Sequence, residues 1–370
     1  MNLNSELSWV DPKNDSNNRS LLFAKKIFYK QKQNQFVKLS EFNVLPIKQK
    51  LESLAPETSF LFNTGGTSGD TKLIQHTYKS MHAGVKSLID CLQLDELSSW
   101  CCLPLHHVAG IMQIIRAKFT GGTVYFLDYR DLCSEIICQE VSHKWISLVP
   151  TQLHYLIKNS IACENLRKFK GIFVGGSRLS EKLAIECRSL ELPLYPTYGM
   201  TETAGMVTIL KKADFLNGMG GVGKPLPHSS LKLEDESNKI LVKSESTAPN
   251  LKVQALKSGW FQTPDFGRVD DRGNWWIDGR SDRILITGGK KVNPDKIERI
   301  LLNTGLIEGC LVKGEKSEVW GDCITAFITP KDTDLENLKT KALKILEAFE
   351  VPKKWQVVEK LPLSEMGKPK

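Results

Sequence analysis

The sequence has no long apolar run. None of its 370 residues belongs to a stretch approaching the roughly 18 that a membrane-spanning helix needs. Its first residues, Met1-Asn2-Leu3-Asn4-Ser5-Glu6, lack a basic stretch leading into an apolar core. Neither integral membrane association nor a secretory signal is therefore expected. The nine cysteines include no C-x-x-C pair, and no Cys/His spacing resembles a zinc site. Their odd number and apolar settings, such as Cys101-Cys102-Leu103, read as reduced core thiols of a cytoplasmic protein. Basic residues outnumber acidic ones, 50 to 42, for a net charge of +8, yet no basic run reaches five. A scattered excess of this kind argues against nucleic-acid binding. Repeats and low-complexity tracts are also missing. What remains is an ordinary globular composition, 41% hydrophobic and 25% charged, with room for two or three domains.

The first 55 residues are polar and weakly patterned, and read as an irregular lead-in with one or two helices. From Phe60 the order becomes regular. Short apolar runs at 60–62, 100–103, 123–127, 145–149, 172–174 and 194–198 predict strands. Helical spacing predicts helices over 77–92, 110–119, 134–143, 151–159 and 181–190. This alternation implies an α/β fold with mostly parallel, helix-covered sheets, whose ligands sit at the carboxyl ends of strands. Between about 207 and 277 the helices disappear and a β-rich subdomain is expected. After Asp278-Gly279-Arg280 the pattern resets to a hairpin, a helix at 294–302, two strands, a helix at 334–349 and a last strand at 355–358. That is a small α+β domain of its own, so the expected division is 1–281 and 282–370.

The richest segment is Asn63-Thr64-Gly65-Gly66-Thr67-Ser68-Gly69-Asp70-Thr71-Lys72. Its glycines allow a tight turn with N–H groups facing an anion, and its hydroxyls and lysine suit phosphate oxygens. It does not fit a Walker A loop, and a flexible Gly/Ser/Thr turn between a strand and a helix is the competing reading. Gly218-Met219-Gly220-Gly221-Val222-Gly223 fits G-x-G-x-x-G, but Lys224-Pro225-Leu226-Pro227 denies the helix that a dinucleotide fingerprint requires. His106-His107 at a strand end suggest acid–base work, or one solvated and one packed ring. Tyr198-Gly199-Met200-Thr201-Glu202-Thr203 joins a carboxylate that can hold Mg²⁺ to a hydroxyl donor, or is simply a helix cap. Asp265 and Arg280 are a carboxylate and a guanidinium able to clamp a diol, or turn and surface-pair residues. Lys368 lies in a terminal turn.

Singly weak, these segments occur in the order found in the acyl-adenylate-forming superfamily of acyl-CoA synthetases, amino-acid adenylation domains and luciferases. The stretch from about 58 to 370 resembles that superfamily. Ser147-Leu148-Val149-Pro150-Thr151-Gln152-Leu153 and Phe173-Val174-Gly175-Gly176-Ser177 are most similar to the o-succinylbenzoate–CoA ligase family of menaquinone and phylloquinone synthesis. The resemblance implies ATP and CoA as co-substrates, with Mg²⁺ carried on the nucleotide. It assigns the β- and γ-phosphates to Thr64, Gly65, Gly66, Thr67, Ser68, Gly69 and Lys72, and the adenine to Tyr198. Thr201 would meet the α-phosphate, Glu202 the Mg²⁺, and Asp265 and Arg280 the ribose. His107 would close over the acyl site, with Gln152, Gly175, Gly176 and Ser177 in the substrate pocket. Lys368 would bridge the carboxylate and the α-phosphate. The C-terminal domain is expected to be mobile, with Asp282 as hinge and Gly288, Gly289 and Lys290 along the CoA tunnel.

Two departures stand out. Asp70-Thr71 replaces the usual small or basic residue and proline, and the sequence stops two residues after Lys368. Another aryl- or fatty-acid–CoA ligase, or a degenerate nucleotide-binding protein without catalysis, are the alternative expectations.

Overall fold

A computed structural model describes residues 37–38, 59–65, 71–126, 128–135, 141–252, 258–317, 320–330 and 335–363. The expected lead-in helices, Gly66, Thr67, Ser68, Gly69 and Lys368 lie outside them, as does Cys138.

An eight-stranded sheet forms the frame. Its strands are β1 (Val37–Lys38), β4 (Ser99–Cys101), β5 (Val124–Phe126), β6 (Trp145–Leu148), β7 (Gly171–Val174), β8 (Leu194–Met200), β9 (Gly205–Ile209) and β10 (Lys224–Pro225), in spatial order β1-β5-β4-β6-β7-β8-β9-β10. The central five, β5, β4, β6, β7 and β8, run parallel, and the flanking strands are antiparallel. The order turns around at β4, because the next two strands of the chain, β5 and β6, lie on opposite sides of it. Such a reversal leaves a crevice at the carboxyl ends of the strands. Strands buried on both faces need apolar side chains throughout, and β4, β6 and β7 are buried along their whole length. Trp145 stacks on Phe173 across β6 and β7, with ring centroids 4.7 Å apart.

β2 (Ser59–Gly65) and β3 (Thr71–Thr77) make a separate antiparallel hairpin, with Thr64 opposite Lys72 and Gly65 opposite Thr71. The Gly-rich segment leaves a strand and precedes a helix as expected, with an unforeseen strand, β3, between them. Residues 66–70 join two strands, and the helix Tyr78–Leu92 follows only after β3. That helix is capped by Thr77, whose Oγ1 accepts from Ser80 N at 3.1 Å, while Ser80 Oγ accepts from Thr77 N. The helix expected over 134–143 falls half outside the described residues. Tyr129–Cys133 forms a 3₁₀ turn, Val141 to His143 are turn residues, and 136–140 are outside the described residues. The single helix expected over 151–159 is two, Pro150–Leu156 and Ser160–Lys168, because Asn159 Oδ1 accepts from Ala162 N and starts a new one.

Beside the frame, β11 (Ser229–Leu233), β12 (Lys239–Ser244), β13 (Phe261–Val269) and β14 (Trp275–Arg280) form an antiparallel four-stranded sheet. The C-terminal part pairs β15 (Leu285–Thr287), β16 (Lys290–Val292), β17 (Ile307–Ser317), β18 (Gly321–Pro330) and β19 (Lys354–Val357) around the helices Pro294–Asn303 and Leu335–Ile345. It has its own apolar core, including Ile297, Leu301, Ile324, Ala326 and Leu338.

Candidate active site

The carboxyl ends of β4, β6, β7 and β8 carry several of the residues singled out above. After β4 come His106 and His107. His107 sits at the N-cap of the helix Val108–Thr120 and its ring lies 4.3 Å from that of His106. Gly110 lets that helix approach the strand end, since a Cβ there would stand 2.2 Å from Pro104 O. After β6, Gln152 is buried and its Oε1 accepts from Val149 N at 3.0 Å, so its carbonyl caps the helix Pro150–Leu156. After β7, Gly175 is partly buried, while Gly176 and Ser177 are exposed.

β8 ends in the 3₁₀ turn Thr201–Thr203. Gly199 is required where β8 meets β9, because a Cβ would lie 1.9 Å from Gly205 O. All three carbonyls of the turn are held from outside it. His76 Nε2 donates to Thr201 O at 2.6 Å, Ala248 N to Glu202 O at 2.8 Å, and Ser246 Oγ to Thr203 O at 2.8 Å. Glu202 itself is half-buried. Behind Ser246, a chain of hydroxyls runs back through Ser244 to Ser229, and His228 Nε2 lies 3.0 Å from Ser246 Oγ. With its hydrogen given to Thr203 O, Ser246 accepts from His228. Burial pulls the His228 imidazole down to about 4.

Tyr198, Asp265 and Arg280 are brought together. β13 and β14 place Asp265 opposite Arg280. Tyr198 OH donates to Asp265 Oδ2 at 2.7 Å and Arg280 Nη1 to Asp265 Oδ1 at 3.2 Å. Arg280 also donates twice to Asp282, Nε to Oδ1 at 2.9 Å and Nη2 to Oδ2 at 2.6 Å. Burial raises the Asp265 carboxyl, against the opposing pull of Arg280 and Tyr198. Burial lowers the Arg280 guanidinium, but Asp282 and Asp265 outweigh it and the net direction is up. Both groups also feel the charge of Glu202, which ties this cluster to the Thr201–Thr203 turn. The Tyr198 ring packs among Val207, Ile240, Val242 and Trp275.

The remaining predicted residues stand apart. Lys72 is an exposed residue of β3. Gly288 and Gly289 form the exposed two-residue turn between β15 and β16, with φ of 54° and 76°, values that glycine adopts without penalty. Lys290 Nζ lies 4.4 Å from the Phe349 ring centroid.

Sequence reasoning missed His76, Ser246, His228, Gln113 and Arg116. The last two project from the helix Val108–Thr120 one turn apart. Gln113 is fully buried and Arg116 4% exposed, yet Gln113 Oε1 and Arg116 Nε and Nη1 have no hydrogen-bond partner among the described residues. The Arg116 guanidinium lies 5.3 Å from the Phe173 ring centroid, and its Nη2 3.6 Å from Met206 Sδ, between β7 and β9. Burial pulls it down to about 10. A charged residue three positions from a Gln on the buried face of a helix was the available signal.

A parallel sheet with its polar groups gathered at the strand ends, a carboxylate turn beside an Asp–Arg pair, and a small α+β unit after β14 define an adenylate-forming enzyme. The chain belongs to the AMP-binding enzyme family: the family matches residues 8–247, and the AMP-binding enzyme C-terminal domain matches 296–368. It is similar to a 2-succinylbenzoate–CoA ligase of Listeria monocytogenes, 30% identical over 324 residues that span 84% of this chain and 68% of the relative. Two solved structures of o-succinylbenzoate CoA synthetase from Bacillus subtilis share the fold, each with a TM-score of 0.71 and covering 85% of this chain. One, in complex with its acyl-adenylate intermediate, is 26% identical and covered over 68% of its length; the other, with ATP and magnesium ion, is 25% identical and covered over 70%.

Proposed function

We propose that this ligase activates 2-succinylbenzoate with ATP and transfers the acyl group to CoA, giving 2-succinylbenzoyl-CoA, AMP and pyrophosphate, in the cytoplasm. In the first step a carboxylate oxygen attacks the α-phosphorus and pyrophosphate leaves. In the second the CoA thiol loses its proton, its sulfur attacks the acyl carbon, and AMP leaves. A carboxylate attacking another anion needs positioning and neutralisation. On this reading Asp265, oriented by Tyr198 and Arg280, receives the ribose hydroxyls, Thr201 donates to the α-phosphate, and Lys368 meets the carboxylate. Glu202 would hold Mg²⁺, which when bound supplies neutralisation of the phosphates; one half-buried carboxylate suits an ion that keeps phosphate and water ligands. His107 closes the acyl side. The C-terminal unit, divided from the rest at Asp282, rotates between the two steps and brings Gly288 to Lys290 to the CoA arm.

The observation that carries the choice of acid is Arg116. A buried guanidinium with two donor atoms that find no partner among the described residues is costly, and a carboxylate is the ligand that best satisfies it. 2-Succinylbenzoate has a second carboxylate remote from the one that reacts, whereas benzoate and simple fatty acids do not. The Listeria and Bacillus relatives support the same choice. Replacing Arg116 by Met keeps most of the volume and removes the charge. The expected result is a rise in KM for 2-succinylbenzoate of about 30-fold or more, corresponding to roughly 2 kcal/mol or more for an orphaned buried carboxylate, with the Mg·ATP KM unchanged. An unaltered acid KM in Arg116→Met would show that Arg116 does not meet the acid.

A further inference from the structure

His76 is fully buried at the end of β3, and it joins two elements distant in sequence. Thr201 O is an acceptor only, so at 2.6 Å the Nε2 of His76 must carry the donated hydrogen. On the other side of the ring, Nδ1 lies 3.1 Å from Ser80 Oγ, and Ser80 is itself fixed by the capping exchange with Thr77. The ring plane is therefore set by a helix cap at one nitrogen and aimed at a turn carbonyl by the other. Phe62 of β2 packs edge-on against it, with ring centroids 6.0 Å apart.

A second tie runs in parallel. Asn250 Oδ1 accepts from Gln75 N at 3.2 Å and its Nδ2 donates to Leu73 O at 3.0 Å, both backbone groups of β3. Two residues earlier, Ala248 N holds Glu202 O. The β2–β3 hairpin arm, residues 246–250 and the Thr201–Thr203 turn thus form a closed hydrogen-bonded frame. His76 is its direct link between hairpin and turn.

We infer that His76 is a positioning residue for the adenylation step: it fixes the Thr201–Glu202 turn relative to the hairpin arm, so that Thr201 and Glu202 meet the phosphates and their Mg²⁺ in register. The inference rests on the proposed roles of Thr201 and Glu202 and deepens them. It does not depend on which acid is activated.

The test uses the full-length protein and four variants: His76→Leu, which fills the space without a donor, His76→Gln, which restores a donor near the Nε2 position, Glu202→Gln, and the double variant His76→Leu/Glu202→Gln. Two readouts are taken: Mg·ATP binding by calorimetry without any acid, and the Mg²⁺ dependence of pyrophosphate release. His76→Leu is expected to weaken Mg·ATP binding and raise half-saturating Mg²⁺ by about tenfold each, the scale of one lost buried hydrogen bond. His76→Gln should recover to within about threefold of the parent. The double variant should be little worse than Glu202→Gln alone, because the two changes disable one device. Full additivity, or no rescue by Gln, makes His76 a core residue and overturns the inference. If Glu202→Gln weakens Mg·ATP binding while His76→Leu does not, the inference fails and the reading of Glu202 stands. If Glu202→Gln changes nothing, that reading fails and takes the inference with it.

Discussion

Two 3₁₀ turns of three residues flank the candidate site, Thr201–Thr203 after β8 and Ser281–Arg283 after β14, and they are held by opposite means. The first is pinned through its main chain by buried hydrogen-bond donors: His76, Ser246 and the Ala248 amide. The second is held through its side chains by ion pairs. Arg280 engages Asp265 and Asp282, and Arg283 engages Asp295 and Glu298. Buried main-chain hydrogen bonds cannot be exchanged for water without a penalty. A partly exposed ion pair such as Arg280–Asp282, 42% and 33% exposed, exchanges partners readily. On the proposed reading, the first turn would serve as a fixed floor for the phosphates and the second as a rearrangeable joint between two units, as a reaction in two chemical steps requires.

The largest effect should come from breaking the charged side where it is most buried. Arg283 is 12% exposed and lies against Glu298, itself 15% exposed, with a further hydrogen bond from Nη2 to Val312 O at 3.1 Å. Replacing Arg283 by Leu strands two carboxylates and is expected to cost about 3–5 kcal/mol of stability, read as a drop in the urea midpoint of the C-terminal unit. A loss below about 1 kcal/mol would show that this pair, like exposed ones, is replaceable by water.

A smaller effect tests the neutral side through pH. His228 is buried where a charged ring is disfavoured, and its folded value of about 4 lies below the ordinary 6.5. A depressed histidine contributes stability that is fully present above pH 6.5 and is lost as pH falls toward 4, on the order of 3 kcal/mol in all. Urea unfolding at several pH values should show that decline, and His228→Gln should flatten it. The same slope in the variant would assign the decline to other groups.

The smallest effect belongs to Lys158 and Glu308. This exposed pair, at 2.9 Å, links the segment between the helices Pro150–Leu156 and Ser160–Lys168 to β17. Lys158→Ala should change stability by under about 1 kcal/mol in urea titrations.

Much of the frame was legible because strands buried on both faces read as short apolar runs, as at 145–149 and 172–174. Tyr198, Asp265 and Arg280 of the candidate site were legible too, since they stand in recognisable order. Their mutual hydrogen bonds were not, because Asp265 and Arg280 meet through a register between β13 and β14 that spacing alone does not specify. β3 escaped notice because Lys72-Leu73-Ile74-Gln75-His76 is short and only Ile74 and His76 of it turn inward. The turn's supports, His76 and Ser246, are more than 40 residues from it in sequence, at separations of 125 and 43. Arg116 was hidden in a helix that tertiary packing buries nearly all round.

The most direct measurement of the central claim is a product assay. The purified full-length protein is incubated with ATP, Mg²⁺ and CoA plus 2-succinylbenzoate, benzoate, phenylacetate or a medium-chain fatty acid, and the thioesters are weighed by mass spectrometry. A thioester from 2-succinylbenzoate alone, dependent on Arg116, is the predicted result. A thioester formed from a monocarboxylate in preference to 2-succinylbenzoate would contradict the assignment of the acid. Neither thioester nor AMP from any of the four would contradict ligase activity itself.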